Sequence, residues 1–155
     1  MWRYENHLRA QTGQQTSKLN WKQFLSSENH ATKLSIEHIA AQSSDIVETD
    51  IEWEEGILEK FKDIALHRLG NLVLDTTSAN SSKGKQKFED KFEKYIKQST
   101  YLSQSELATW AKIGEDDVKT WNSDSVKARH KHLIEFAKQA WNPKKYYTRT
   151  VGKGS

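Results

Sequence analysis

"KLSIEHIAAQ", residues 33–42, decides how this chain is read. Leu34, Ile36 and Ile39 mark a short, half-buried strand, and Glu37 and His38 interrupt it with a carboxylate beside an imidazole. Neither group enters a sheet cheaply without a partner. The rest of the chain therefore has to supply partners, or the pair has a chemical task.

Downstream, "HRLGNLVLD" (67–75) reads as a second short strand through Leu69, Leu72, Val73 and Leu74, broken at Gly70-Asn71. "TTSANSSKG" (76–84) is a turn or helix entry, with Asn80 a candidate N-cap. "KQKFEDKFEKYIKQS" (85–99) is amphipathic: Phe88, Phe92, Tyr95 and Ile96 share one face, which is core rather than a stacking platform. Between the strands, the apolar spacing of "IEWEEGILEKFKDIAL" (51–66) predicts an inserted helix. "MWRYENHLRAQTG" (1–13) predicts a helix stopped by Gly13. Ser103-x-x-Glu106 reads as a capping box for a helix reaching Lys112, and a last helix begins at Ser123 or Asp124 and runs to Trp141, before Pro143.

The expected fold class is α+β, mostly helical: a ββα core over about 33–98 with surrounding helices and a helical C-terminal part over about 103–142, all in one domain of 1–155. The 155 residues are enough for a real core, and 6 Trp, 5 Tyr and 5 Phe argue against disorder despite 29% charged residues. With no Cys, disulfide and thiolate chemistry are excluded, and the composition suits a reducing cytosol. No run is long and apolar enough to cross a membrane as a helix. The net charge of +3 is unevenly spread. The segment from Asp45 to Asp63 is acidic, with only Lys60 and Lys62 against it. From Lys127 to Arg149 the chain is basic, with Glu135 the sole acid. A basic end with Trp141, Tyr146 and Tyr147 suits a polyanion, although a solvated helix face explains it as well.

Two antiparallel strands with a helix across them can bring Glu37-His38, Asn71 and Asn80 together. Glu37 and Asn80 then offer two oxygen ligands to a hard divalent cation, for which Mg2+ is the best match and Mn2+ a substitute. His38 serves as general base, since its ordinary pKa lies close to neutrality. Neighbours on a regular strand face opposite ways, so a strand end or bulge is needed for both to reach one spot. Lys83 adds positive charge near a phosphate. Asn71 is better suited to holding the loop around His38 through its backbone. Together these groups are the minimum for phosphodiester hydrolysis.

"IEHI", then "HRLGNLVL", then "ANSSKGKQKFEDK" resembles the HNH, or His-Me finger, nuclease motif. More narrowly, it resembles the C-terminal nuclease domain of GmrSD-type restriction enzymes, with I-E-H-I, L-G-N-L-x-L and an Asn followed by F-x-x-K. The Trp- and Arg-containing tail "WNSDSVKARHKHLIEFAKQAW" (121–141) fits the same pattern, so the resemblance covers about residues 2–141. It implies His38 as base, Glu37 and Asn80 as metal ligands, Asn71 as the structural Asn and Lys83 as the supporting Lys. It also implies restriction of phage or modified DNA in the bacterial cytoplasm, and an N-terminal ParB-like nucleotidase domain as partner in the same protein. The abrupt helical start agrees with a C-terminal fragment of a longer chain. The family usually has Pro-Gln after I-E-H-I, where this chain has Ala41-Gln42.

Each piece alone has a plainer reading: a surface acid–His pair, an ordinary Gly-Asn turn, a helix cap. His67 can approach the site, or be structural. His130 and His132 are read as meeting phosphate or solvent. Lys85, Lys87, Lys91 and Arg129 are candidate phosphate contacts. Two other classes stay open: a DNA-binding module without turnover, and a protein-interaction domain docking through residues 45–63.

Overall fold

A computed structural model describes residues 1–13, 19–22, 33–41, 50–52, 58–60 and 65–142. The architecture is mixed α+β and mostly helical, with small antiparallel sheets. Helix α1 (Trp2–Gln11) precedes strand β1 (Leu34–His38), then β2 (Asp50–Glu52) and β3 (Leu58–Lys60). Two 3-10 turns, Ala65–His67 and Leu69–Asn71, lead into β4 (Leu72–Thr76). Helices α2 (Thr77–Lys83), α3 (Phe88–Glu93, continued as a π-helical turn Lys94–Gln98), α4 (Leu102–Ser105) and α5 (Leu107–Trp110) follow. A small pair, β5 (Lys112–Ile113) and β6 (Lys119–Thr120), precedes the long α6 (Ser123–Ala140).

Strands β1 and β4 form one antiparallel pair, with Leu34 opposite Thr76 and His38 opposite Leu72. Directly opposed residues share a face. Ser35, Glu37, Val73 and Asp75 therefore point one way, and Ile36, His38, Leu72 and Leu74 the other. The first face is covered by helices. On the second, Ile36 is exposed and His38 half-buried, while Leu74 opposite Ile36 has no exposed surface.

Three expectations are corrected. Within 51–66 the described residues form β2 paired with β3 and a 3-10 turn, not one helix. Gly56 weakens a helix there, and "IEW" suits a strand equally well. The Ser103–Glu106 capping box does not form. Ser103 lies inside α4, and the α4 amides of Leu102 and Ser103 donate instead to the Glu5 carboxylate of α1, at 3.0 and 2.8 Å. Glu106 turns to Tyr4 and Arg129, and the helical stretch stops at Trp110. Asn80 is not an N-cap: Thr76 caps α2 by accepting from the Ala79 amide, which places Asn80 mid-helix. The last helix starts where expected, capped by Asn122.

The core lies between the strand pair and the later helices, built from Ile39, Leu66, Val73, Phe88, Tyr95, Leu107, Trp121 and Val126. Phe92 and Ile96 pack partly against it, so the amphipathic face of 85–99 is core. Among the described residues no helix is long and apolar enough to cross a membrane.

Candidate active site

The segment Glu37–Ala40 is gripped from two sides. Asn71, fully buried, makes four hydrogen bonds with its side chain. Its Oδ1 accepts from the Ala40 amide (2.9 Å) and the Trp121 indole (3.1 Å). Its Nδ2 donates to the carbonyls of Ala40 (3.2 Å) and Leu66 (2.9 Å). That uses the full capacity of one amide. The Asn71 backbone carbonyl also accepts from the Ile39 amide at 2.9 Å.

From the covered face, Lys91 of α3 reaches the same segment with no exposed surface of its own. Its Nζ donates to Glu37 Oε1 (2.8 Å) and to the carbonyls of His38 (3.0 Å) and Ile39 (3.3 Å). The Tyr95 hydroxyl adds a hydrogen bond to the same Glu37 oxygen at 2.9 Å. Burial and the Glu37 charge push the Tyr95 phenol well above its ordinary pKa, so it stays a donor. Beside this cluster, Lys83 forms a second buried ion pair, with Asp75, and its ammonium lies 5.2 Å from the Tyr95 ring centroid.

His38 stands on the other face. Its Nε2 is 3.1 Å from Nδ1 of His67, with the rings nearly perpendicular. Partial burial, then the neighbouring His67 and Lys91, lower its pKa below the ordinary 6.5. An imidazole so placed is neutral at pH 7 and able to accept a proton. Strand β1 keeps regular register through His38, so Glu37 and His38 point to opposite sides.

Asn80 is fastened to β1. Its Nδ2 donates to Ser35 Oγ (3.0 Å) and the Ile36 carbonyl (3.1 Å). With the nitrogen held, Oδ1 is the atom left as a hard oxygen donor for a cation such as Mg2+. Asn80 therefore fits a metal. Glu37 is 3% exposed, and its Oε1 is taken by the Lys91 ammonium and the Tyr95 hydroxyl. Among the described residues no three His, Cys, Asp or Glu side chains converge as a ready metal site.

The basic residues divide sharply. Lys85 and Lys87 are exposed on the turn between α2 and α3. Arg129 and Lys91, read from sequence as phosphate contacts, have no exposed surface at all, and a buried cation meets no phosphate. Arg129 Nη1 instead donates to the carbonyls of Leu69 (3.2 Å), Gly70 (3.1 Å) and Leu72 (2.8 Å), and its Nε faces Glu106. It binds the Gly-Asn-Leu turn from beneath. Gly70 has to be glycine there, since a Cβ would stand 2.1 Å from the Val126 carbonyl oxygen of α6. His132 pairs with the Tyr4 hydroxyl at 2.9 Å rather than standing free for phosphate. Lys83, expected to put charge near a phosphate, is buried with that charge matched by Asp75.

His67, read from sequence as either near the site or structural, stands beside His38, whereas Lys83, Lys91 and Arg129 were misplaced. A signal existed for the last two. Lys91 sits at stripe spacing between Phe88 and Tyr95, and Arg129 between Val126 and Leu133. A cation in an apolar stripe is carried inside with it.

Compared with known proteins, residues 2–136 match the family model described as GmrSD restriction endonucleases, C-terminal domain. No curated protein and no solved structure matches the chain.

Proposed function

The chain belongs to the family of GmrSD restriction endonuclease C-terminal domains, and from that premise we propose that it is a DNA endonuclease of the HNH, or His-Me finger, class. The observation that supports this reading is His38: a partly exposed imidazole beside His67, its pKa lowered by burial, its carbonyl held by Lys91 and the two residues after it held by Asn71. His38 takes a proton from a water, and the hydroxide attacks a backbone phosphorus. His67 orients the His38 ring through Nε2. Asn71 keeps the strand end in place. The helix–strand unit built from β1, β4 and α2 serves as the ββα core of that class.

What a divalent cation, Mg2+ or Mn2+, supplies when bound is polarisation of the scissile phosphate and charge for the leaving 3′ oxygen. Asn80 Oδ1 is the donor that would hold it. Lys85 and Lys87, exposed next to α2, attract the DNA backbone without reading sequence. In the cell the domain works in the cytoplasm in restriction of phage or modified DNA, joined to an N-terminal ParB-like nucleotidase domain.

The test is cleavage of supercoiled plasmid with Mg2+ or Mn2+, with EDTA, and with His38→Ala. Open-circle or linear product that needs metal and His38 supports the reading. Binding without cleavage by the parent chain would favour a DNA-binding module, and full cleavage by His38→Ala would remove the base assignment.

A further inference from the structure

Glu37 has two possible jobs, and the geometry separates them. As a metal ligand it would offer a carboxylate oxygen to a cation and to substrate. It lies instead on the covered face of β1, 3% exposed, with Oε1 shared between the Lys91 ammonium and the Tyr95 hydroxyl. The same ammonium, with no exposed surface, holds the carbonyls of His38 and Ile39. An isolated buried ammonium is costly, so Lys91 can stand there only because Glu37 neutralises it. Glu37 thus supports the atom that grips the backbone of the next residue.

We propose that Glu37 is a positioning residue rather than a metal ligand: with Lys91 and Tyr95 it forms a buried clamp that fixes the His38–Ile39 backbone and, through it, the His38 imidazole. The proposal deepens the nuclease reading and rests on it for the meaning of His38. The clamp itself stands on the packing alone. The acid in I-E-H-I and the lysine in F-x-x-K, 54 residues apart, are then two halves of one device. The clamp also requires the strand to be regular, as it is, because only alternation sends Glu37 inward while His38 faces out.

The two jobs differ in what rescues the loss. Removing one partner of a buried pair leaves the other charge stranded, whereas replacing both with apolar residues of similar size is often tolerated. The experiment uses the full chain with Glu37→Gln, Lys91→Met and the double Glu37→Met/Lys91→Met. Three quantities are read: Mn2+ affinity by water-proton relaxation, melting temperature without metal, and the His38 imidazole NMR shift.

A clamp predicts Mn2+ affinity within about twofold of the parent in Glu37→Gln, a factor too small for a lost first-hand ligand when even supporting partners of ligands are worth roughly 10–100-fold. It predicts that the double variant melts above Lys91→Met, because no charge is left stranded, and that the His38 signal moves in Lys91→Met and stays moved in the double, which also lacks the ammonium that holds the His38 and Ile39 carbonyls. Where the parent cleaves DNA, Lys91→Met and the double both cut more slowly than the parent, since neither holds the His38 and Ile39 carbonyls. A tenfold or greater loss of Mn2+ affinity in Glu37→Gln overturns the proposal, as does a double variant no more stable than Lys91→Met. If Lys91→Met fails to fold, folding of the double variant supports the clamp and its failure to fold overturns it. A parent chain that cuts nothing would count against the nuclease reading, while these three readouts would still decide the clamp.

Discussion

Asn71→Ala removes four hydrogen bonds in one step. The Ala40 amide and the Trp121 indole lose their acceptor, and the Ala40 and Leu66 carbonyls lose their donor. Ala40, Leu66 and Trp121 are all buried, so water does not readily take over. At about 1–3 kcal/mol for each buried group left unpaired, the lower bound is about 4 kcal/mol, a large part of the roughly 5–15 kcal/mol that holds a domain together. For a chain of this length that lowers the melting temperature by roughly 8–16 °C, at about 2–4 °C per kcal/mol. Urea unfolding followed by tryptophan fluorescence measures it, with Trp121 a direct reporter of the site. Asn71→Leu separates hydrogen bonding from bulk. It nearly restores volume and restores no partner, so it should be as unstable as Asn71→Ala. A loss below about 1 kcal/mol in Asn71→Ala, or a stable Asn71→Leu, would refute the reasoning, because either means that the four bonds contribute less than a single average one.

Other substitutions probe the same construction. Gly70→Ala places a methyl 2.1 Å from the Val126 carbonyl oxygen and 2.9 Å from the His130 nitrogen. Backbone cannot yield as a side chain can, so calorimetry should show a loss of at least about 1–3 kcal/mol, and an unchanged melting temperature would mean that α6 docks more loosely than it stands. Arg129→Lys keeps the charge but loses the fork that spans three carbonyls and Glu106, so it lowers the melting temperature and leaves the salt dependence of DNA binding unchanged. Lys85→Ala with Lys87→Ala does the reverse: stability stays within about 0.5 kcal/mol, and the slope of log affinity against log salt becomes shallower. Equal salt slopes for this pair and the parent would remove both lysines from the DNA interface. His67→Ala takes away the partner of His38 Nε2 and should slow plasmid cleavage roughly tenfold, a fraction of the ~100-fold or more that a placed base contributes, with the melting temperature unchanged. Cleavage at the parent rate would make His67 a bystander.

Much of the frame was legible from the chain alone. The runs Leu34–Ile39 and Leu69–Leu74 read as short strands, which the structure sets at Leu34–His38 and Leu72–Thr76 with Leu69–Asn71 a 3-10 turn, and the stripe from Phe88 to Ile96 is a helix face by its period. The order of Glu37-His38, Gly70-Asn71 and Asn80 on those elements was enough to name the family. These readings succeed because they depend on neighbours a few residues away, where spacing and side-chain type act directly.

What the chain did not disclose is which way each charged group turns. Lys85, Lys87, Lys91 and Arg129 look alike as letters, yet two are exposed and two are wholly buried. Lys91 is buried because Glu37 lies opposite it, 54 residues earlier, and Arg129 because the carbonyls of Leu69, Gly70 and Leu72 accept from it. The capping of α4 by Glu5 and the pairing of His38 with His67 are of the same kind. A charge is stable in the interior only when a distant segment brings its partner within hydrogen-bonding reach. The sequence by itself determined the elements and the order of the site residues; tertiary packing alone decided which of them face water and which hold the others in place, because that choice is made by contacts between residues far apart in the chain.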